Sequence, residues 1–278
     1  MDERAALARV ADLVPAAGDD AALLDDTVVT IDMLHDRTDF PAGTTRYTQG
    51  WRAVGASLSD VAAMGAAATG AVAVYGAPDF DPGSLEAFVR GARDVCERVG
   101  AEYVGGDLDD TAEFTTATTA VGETANPVFR SGAEPGDAVC VTGDLGRSAA
   151  AIDAFAAGDE ERGNDLFRFT PRVAAGKALA PHATALMDSS DGLARSLHQL
   201  AEASDCGFSV DSAAVPVFED VAFERAVTFG EDFELVCTLP PEDVERVETE
   251  VSLSVIGAVS ESGVLLDGEP LPDEGYTH

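Results

Sequence analysis

Segments typical of β-strands alternate with segments typical of α-helices along the whole chain, and this alternation constrains the fold more than any other feature. Residues 27–33 (TVVTIDM) are rich in β-branched side chains, whereas residues 46–66 carry apolar side chains at helical spacing. A second strand pattern at 70–75 precedes a helix that we expect Ser84 to cap and Gly100 to end. Strands and helices mixed in this way predict an α/β or α+β protein.

The length of 278 residues accommodates two domains of ordinary size. Residues 126–137 (NPVFRSGAEPGD) concentrate proline, glycine and polar side chains, which is typical of a connection. We therefore expect one domain of residues 1–125 and a second of residues 126–278. In the second, residues 184–188 (TALMD) are strand-like, and we expect the following helix to open at Ser190.

The charge balance excludes some functions. With 51 acidic and 17 basic residues, the chain has a formal net charge of −34, and Lys177 is its one lysine. Binding a nucleic acid through its phosphates is excluded by this balance, because that requires a basic patch. A content of 46% apolar residues identifies a globular protein and not a disordered acidic tail. Acid excess with almost no lysine is typical of adaptation to a high-salt cytoplasm, where salt screens the repulsion.

The four cysteines are widely spaced and form no CxxC pair, so we expect them to fill core space. The N-terminus has no basic head followed by an apolar stretch, and no run approaches 18 apolar residues. We expect a soluble, cytoplasmic protein that does not contact membranes. A P-loop motif is also missing from the sequence.

Six aspartates stand where strands end or meet helices, unlike the many acids on polar helix faces. Each alone fits a cap, a turn or a solvated loop. A carboxylate in a partly buried place is unfavourable unless it is paired or bound to a metal, and this chain offers few cations. Oxygen-only ligands favour Mg²⁺ or a similar hard ion. The six candidates are Asp20, Asp32, Asp60, Asp107, Asp188 and Asp191.

Seven short blocks, five of which contain these aspartates, occur in a fixed order from residue 18 to near the end of the chain. They are GDDAAL, TIDML, SDVAAMG, GGD, RSGAEPGD, MDSSDGLARSL and GEDFEL. Together they resemble the thiamine-monophosphate kinase family, which belongs to the aminoimidazole ribonucleotide synthetase superfamily. The resemblance implies a two-domain synthetase-like α/β fold. Its N-terminal domain would form a β-barrel across a homodimer, and its C-terminal domain would be α+β.

The resemblance also implies the reaction and its ligands. ATP, held with several Mg²⁺ ions, would give its γ-phosphoryl group to thiamine monophosphate. The ATP-binding residues carried over from the family are Gly106, Asp107, Arg130 and Ser190. The metal ligands carried over are Asp20, Asp32, Asp60, Asp107, Asp188 and Asp191. The family's Thr-Asp pair is Ile31-Asp32 in this chain, so Thr30 or water is expected to take the place of the lost hydroxyl ligand.

At the substrate end the resemblance implies contacts from Glu231, from Asp39, which stands where the family has a histidine, and from Tyr276 in the tail. We expect no general base, because the attacking phosphate is largely deprotonated at neutral pH, with a second pKa of about 6. Two alternatives remain at this point. One is another ATP-dependent member of the same superfamily, and the other is a non-catalytic acidic protein that binds nucleotides or divalent ions.

Overall fold

The computed structural model describes residues 17–275, together with residues 6, 9, 10, 13 and 14. Its strands form two sheets with helices packed against them, so the mixed α/β class expected from the sequence is confirmed. The strands are β1 (Ala22–Leu24), β2 (Thr27–His35), β3 (Ala67–Ala77), β4 (Glu102–Asp110), β5 (Thr115–Glu123), β6 (Ala138–Thr142), β7 (Ala185–Asp188), β8 (Gly207–Val210), β9 (Leu235–Leu239), β10 (Leu253–Ser260), β11 (Val264–Leu266) and β12 (Glu269–Pro270). The helices are α1 (Arg46–Ala63), α2 (Pro82–Val99), α3 (Arg147–Ala156), α4 (Glu160–Phe167), α5 (Val173–Leu179), α6 (Leu193–Ser204) and α7 (Phe223–Thr228).

The first sheet has the strand order β1-β2-β5-β3-β4, with β3 and β4 parallel and the other neighbours antiparallel. Its inner face packs against α1, and α2 packs against α1 and the sheet. Alternation along β2 follows from the two-residue period of a strand, with Thr30 buried and Ile31 exposed. The inner face therefore carries the functional side chains of β2.

The outer face of this sheet exposes apolar side chains. Ile31 is 73% exposed, Met33 58% and Val104 65%, and Val72 and Val74 lie on the same face. Over the described residues the sheet is open, with β1 and β4 as its edges. The described part of one chain therefore forms no closed barrel, and the barrel across a dimer stays a prediction.

The second sheet has the order β12-β11-β8-β10-β6-β9-β7 and contains only strands that follow residue 137. Its strands β6, β7 and β9 are buried along their whole length. Cys140 of β6 lies opposite Cys237 of β9, and both thiols are free and buried. The division into residues 1–125 and 126–278 stays a prediction, although each sheet falls within one of these ranges.

Two expected helix starts were wrong. Helix α2 begins at Pro82, and its cap is Asp81, whose carboxylate accepts the Ser84 N–H at 2.8 Å. Helix α6 begins at Leu193 after Gly192, because Ser190 belongs to a turn. Within the described residues, no helix is both long enough and apolar enough to span a bilayer.

Candidate functional site

Helix α1 lies between the two sheets and presents functional side chains to both. Ser57 and Asp60 are three residues apart, so they share the face directed at the first sheet. The Ser57 hydroxyl donates to Asp32 at 2.5 Å, and the Thr30 hydroxyl donates to Asp60. Because Thr30 and Asp32 are two residues apart on β2, both side chains point to this same face.

The opposite side of α1 contacts the second half of the chain through Ser59, which donates to Asp188 at 2.6 Å. Asp188 is the last residue of β7 and is 1% exposed. Asp20 precedes β1, and its side chain is also 1% exposed. The carboxylates of Asp20, Asp60 and Asp188 thus lie close together although they belong to three distant segments of the chain.

The carboxylates of Asp20, Asp60 and Asp188 form the acidic cluster of this structure, with one oxygen of each within 4.8 Å of the others. Burial, followed by the charges of Asp32, Asp188 and Asp20, raises the pKa of Asp60 well above its usual range. Burial and then the charge of Asp20 raise the pKa of Asp188 to about 8. Asp32 lies beside the cluster and contributes to this repulsion.

The donor set of the acidic cluster fits a hard divalent cation. Its ligand atoms are carboxylate oxygens with hydroxyl groups beside them, and oxygen ligands of this kind suit Mg²⁺. Three desolvated carboxylates repel one another unless a cation or protons offset the charge. Burial first, and then this repulsion, raise the pKa values of Asp60 and Asp188.

The GDD motif holds Arg130 at two points. The Asp20 carboxylate accepts from Arg130 Nη2 at 2.7 Å and from Nε at 3.1 Å, which is a bidentate pair. Asp19 accepts the backbone N–H of Arg130 at 3.2 Å, and burial raises the pKa of Asp19 to about 6. The side chain of Arg130 is 22% exposed, so its guanidinium lies at the edge of the acidic cluster.

Two turns pack backbone against backbone beside the cluster, and they contain Ser190, Asp191 and Glu231. The Glu231 N–H donates to the Ser190 carbonyl at 2.6 Å. A β-carbon on Gly230 would lie 2.4 Å from that same carbonyl, so only glycine fits there. Ser190 and Asp191 are half-buried in the turn that follows Asp188.

Asp107 lies apart from the acidic cluster. It belongs to the edge strand β4, and its register with Val74 puts it on the outer face of the first sheet. Strands β5 and β3 separate β4 from β2, so three strand spacings of about 4.8 Å intervene, or roughly 14 Å. Gly106 approaches β3 so closely that a β-carbon would lie 1.7 Å from the Ala73 carbonyl oxygen. Packing alone therefore accounts for glycine at 106.

Asp39 and Glu231, the two predicted substrate contacts, line one cavity of about 330 Å³. Ligand pockets of about 300–1,000 Å³ are typical of small-molecule sites. Phe167 and Phe229 supply aromatic surface to the same cavity. The Asp39 carboxylate accepts the His35 N–H at 2.6 Å, which fixes the turn after β2. Tyr276 lies outside the described residues.

Sequence reasoning missed several residues that build the site. Asp232 caps α3 from a distant segment by accepting the N–H groups of Gly146 at 2.6 Å and Ser148 at 2.8 Å. Burial raises the pKa of Asp232 to about 7. Arg52 of α1 is 2% exposed and reaches the same region. The sequence does show an arginine among the apolar positions of this helix, and that signal could have identified Arg52. The partners of Arg52 could not be predicted from the sequence.

The chain is similar to known proteins over most of its length. The family described as AIR synthase related protein, N-terminal domain, matches residues 18–124, and the corresponding C-terminal domain matches residues 134–266. A thiamine-monophosphate kinase of Halobacterium salinarum is 65% identical, with 100% of each chain covered. The enzyme of that name from Methanospirillum hungatei is 40% identical, over 90% of this chain and 88% of its own length.

The fold also matches a solved structure, AaThiL complexed with AMPPCP and TMP. The TM-score is 0.91 and the identity 27%, with 100% of this chain and 97% of that one covered. Sequence and structure therefore point to one family.

Proposed function

The chain belongs to the thiamine-monophosphate kinase family, and from this premise we propose that it converts thiamine monophosphate and ATP into thiamine diphosphate and ADP. An oxygen of the substrate phosphate attacks the γ-phosphorus of ATP. The bond from that phosphorus to the bridging oxygen breaks, and its electron pair leaves with ADP. The phosphate acceptor is largely deprotonated at neutral pH, since its second pKa is about 6, so the reaction needs no general base.

The observation that carries this proposal is the acidic cluster with Arg130 at its edge. Asp20, Asp60 and Asp188 are the residues that would hold Mg²⁺. The charge of Asp32 acts on Asp60, and Asp191 follows Asp188 by three residues. Bound Mg²⁺ would offset the phosphate charges that a protein of net charge −34 otherwise repels. Arg130 adds a guanidinium that can bind phosphate oxygens in a bidentate manner.

The remaining assignments follow the same geometry. Ser190 lies in the turn beside the acidic cluster, where it can contact the nucleotide. Thr30 holds Asp60, and it shares the inner face of β2, whereas Ile31 points to the outer face. A hydroxyl at position 31 would therefore face away from the cluster. The cavity lined by Asp39 and Glu231 is the proposed site for the thiamine end of the substrate.

We also propose that the protein works as a homodimer through the outer face of the first sheet. That face exposes Ile31, Met33 and Val104 beside an open edge strand, and such apolar surface is typical of an interface. Asp107 lies on this face, roughly 14 Å from the strand that carries Thr30. Because β4 is also the open edge of the sheet, we place Asp107 and Gly106 at the nucleotide site of the second subunit, reached past that edge, and not at the site of their own chain.

The acidic surface suits a cytoplasm rich in salt, where ATP is also available. The chain has 51 acidic and 17 basic residues, and its 65% identical relative comes from Halobacterium salinarum. Salt screens the repulsion among the surface carboxylates. We expect the folded state to lose stability when molar salt is removed.

One assay tests the function directly. Release of ADP is measured with ATP and Mg²⁺, with and without thiamine monophosphate, and the thiamine product is separated by chromatography. We expect ADP and thiamine diphosphate in equal amounts, and only when thiamine monophosphate is present. ADP formed at the same rate without it would refute the proposal, and binding without turnover would support a non-catalytic protein.

A further inference from the structure

Arg52 is a side chain from α1 that inserts into the second half of the molecule. It is 2% exposed, and its guanidinium stacks on the Phe167 ring at 3.6 Å from the centroid. Nη1 donates to the Phe167 carbonyl at 2.7 Å, and Nη2 donates to the Ser148 hydroxyl at 3.3 Å. A buried guanidinium is unfavourable unless its donors are satisfied, so these contacts keep Arg52 in one orientation.

Two more hydrogen bonds from Arg52 reach one residue, Glu231. Nη2 donates to the Glu231 carbonyl at 2.8 Å and to its carboxylate Oε2 at 2.7 Å. The Ser148 hydroxyl donates to the same carbonyl at 2.6 Å. Backbone and side chain of Glu231 are thus held by groups from two separate helices.

Glu231 needs this support because its backbone is strained. Its φ is +63°, in the left-handed region that non-glycine residues rarely adopt, and Phe233 nearby has a φ of +55°. Such conformations persist where the surroundings hold them, and they concentrate at functional sites. The strained residue here is also the one that lines the cavity opposite Asp39.

We propose that Arg52 is a positioning residue for substrate binding, which acts through Glu231. It fixes the strained turn so that the Glu231 carboxylate stands in the cavity wall, and it pairs with part of that carboxylate's charge. This inference rests on the proposed function, in which Glu231 contacts thiamine monophosphate. A side chain that only filled space would not need hydrogen bonds to both the carbonyl and the carboxylate of one residue.

The test compares Arg52→Lys, Glu231→Gln and the double variant with the wild-type protein. Lysine keeps the charge but loses the planar fork and the stacking on Phe167. We expect Arg52→Lys to raise KM for thiamine monophosphate about tenfold, while kcat and KM for ATP stay within about twofold, since the loss concerns binding alone. In the Glu231→Gln background, Arg52→Lys should have no further effect on that KM.

Arg168→Lys is the matched control. Arg168 also crosses to α1, where Nη1 donates to the Thr48 hydroxyl at 3.2 Å, and its Nη2 donates to Asp165 and not to Glu231. We expect its KM values to equal those of the wild-type protein. Should Arg52→Lys fail to fold, Ser148→Ala removes the other hydrogen bond to the Glu231 carbonyl and should raise the same KM about threefold.

Three results would overturn the inference: equal effects on both substrates, additive effects of Arg52→Lys and Glu231→Gln, or an unchanged KM for thiamine monophosphate in Ser148→Ala. None of these touches the proposed function. That function fails only when the wild-type protein itself shows no turnover dependent on thiamine monophosphate.

Discussion

The position of Asp107 predicts that two different inactive variants restore activity when they share a dimer. Within one chain, Asp107 lies on the outer face of the first sheet, roughly 14 Å from the strand that holds Asp60 through Thr30. A carboxylate oxygen bound to a metal lies about 2 Å from it, so Asp60 and Asp107 of one chain cannot share an ion. In the proposed homodimer, the second copy would bring Asp107, from its edge strand β4, to the acidic cluster.

The perturbation is Asp60→Asn in one chain and Asp107→Asn in the other. Each variant alone should lose at least about a hundredfold in kcat, since each removes a carboxylate that would hold Mg²⁺ against the phosphates. In a mixed dimer, one site contains both substitutions and the other contains neither. Random pairing gives half mixed dimers with one intact site each, so activity should recover to roughly a quarter of the wild-type value.

The assay uses two affinity tags, co-expression and tandem purification, followed by ADP release dependent on thiamine monophosphate. Dimers isolated with both tags should reach about half of the wild-type rate per dimer. The mixture of the two variants without subunit exchange is the control and should stay inactive. Mixed dimers that stay as inactive as the parents would refute the placement of Asp107 in the second subunit.

Three further predictions concern single side chains. Asp60→Asn should raise the midpoint of thermal unfolding by roughly 4 °C without divalent ions, because it removes a desolvated carboxylate from the cluster; a lower midpoint would contradict this. Arg130→Ala should raise KM for ATP about tenfold or more, measured by steady-state kinetics, because it removes a guanidinium at the cluster edge; an unchanged KM would exclude Arg130 from the nucleotide site. Burial raises the pKa of Asp232 to about 7, so its carboxyl favours the folded state only when protonated. As pH rises from about 4 to about 7, the free energy of unfolding of the wild-type protein should fall by on the order of 4 kcal/mol relative to that of Asp232→Asn, as measured by denaturation curves. A difference between the two proteins that stays constant with pH would show that Asp232 does not titrate in this range.

The local patterns of the chain determined much of the fold class. The β-branched run 27–33 became β2, and the apolar spacing over 46–66 became α1, because these periods decide which side chains can be buried. The errors were at helix starts. Asp81 followed by Pro82 carried the signal for the start of α2, with a capping carboxylate and a proline in the first turn, and it was more informative than Ser84.

For the candidate site too, some features follow from the sequence and others depend on tertiary packing. The sequence by itself identified the six candidate aspartates and the family that their motifs resemble. It could not determine that Asp20, Asp60 and Asp188 meet, because they come from the segment before β1, from α1 and from β7, and their meeting depends on how α1 packs between two sheets.

Only the tertiary structure decided the roles of the residues that neighbour the motifs. Asp19 holds the Arg130 backbone, Arg52 holds Glu231, and Asp107 faces away from the cluster of its own chain. A strand's period fixes which face a side chain takes, but the partners come from elsewhere in the chain: 25 and 30 residues away for Asp32 and Thr30, and 111 and 179 residues away for Asp19 and Arg52. Charge pairing and burial at such distances depend on packing, and local sequence does not encode them.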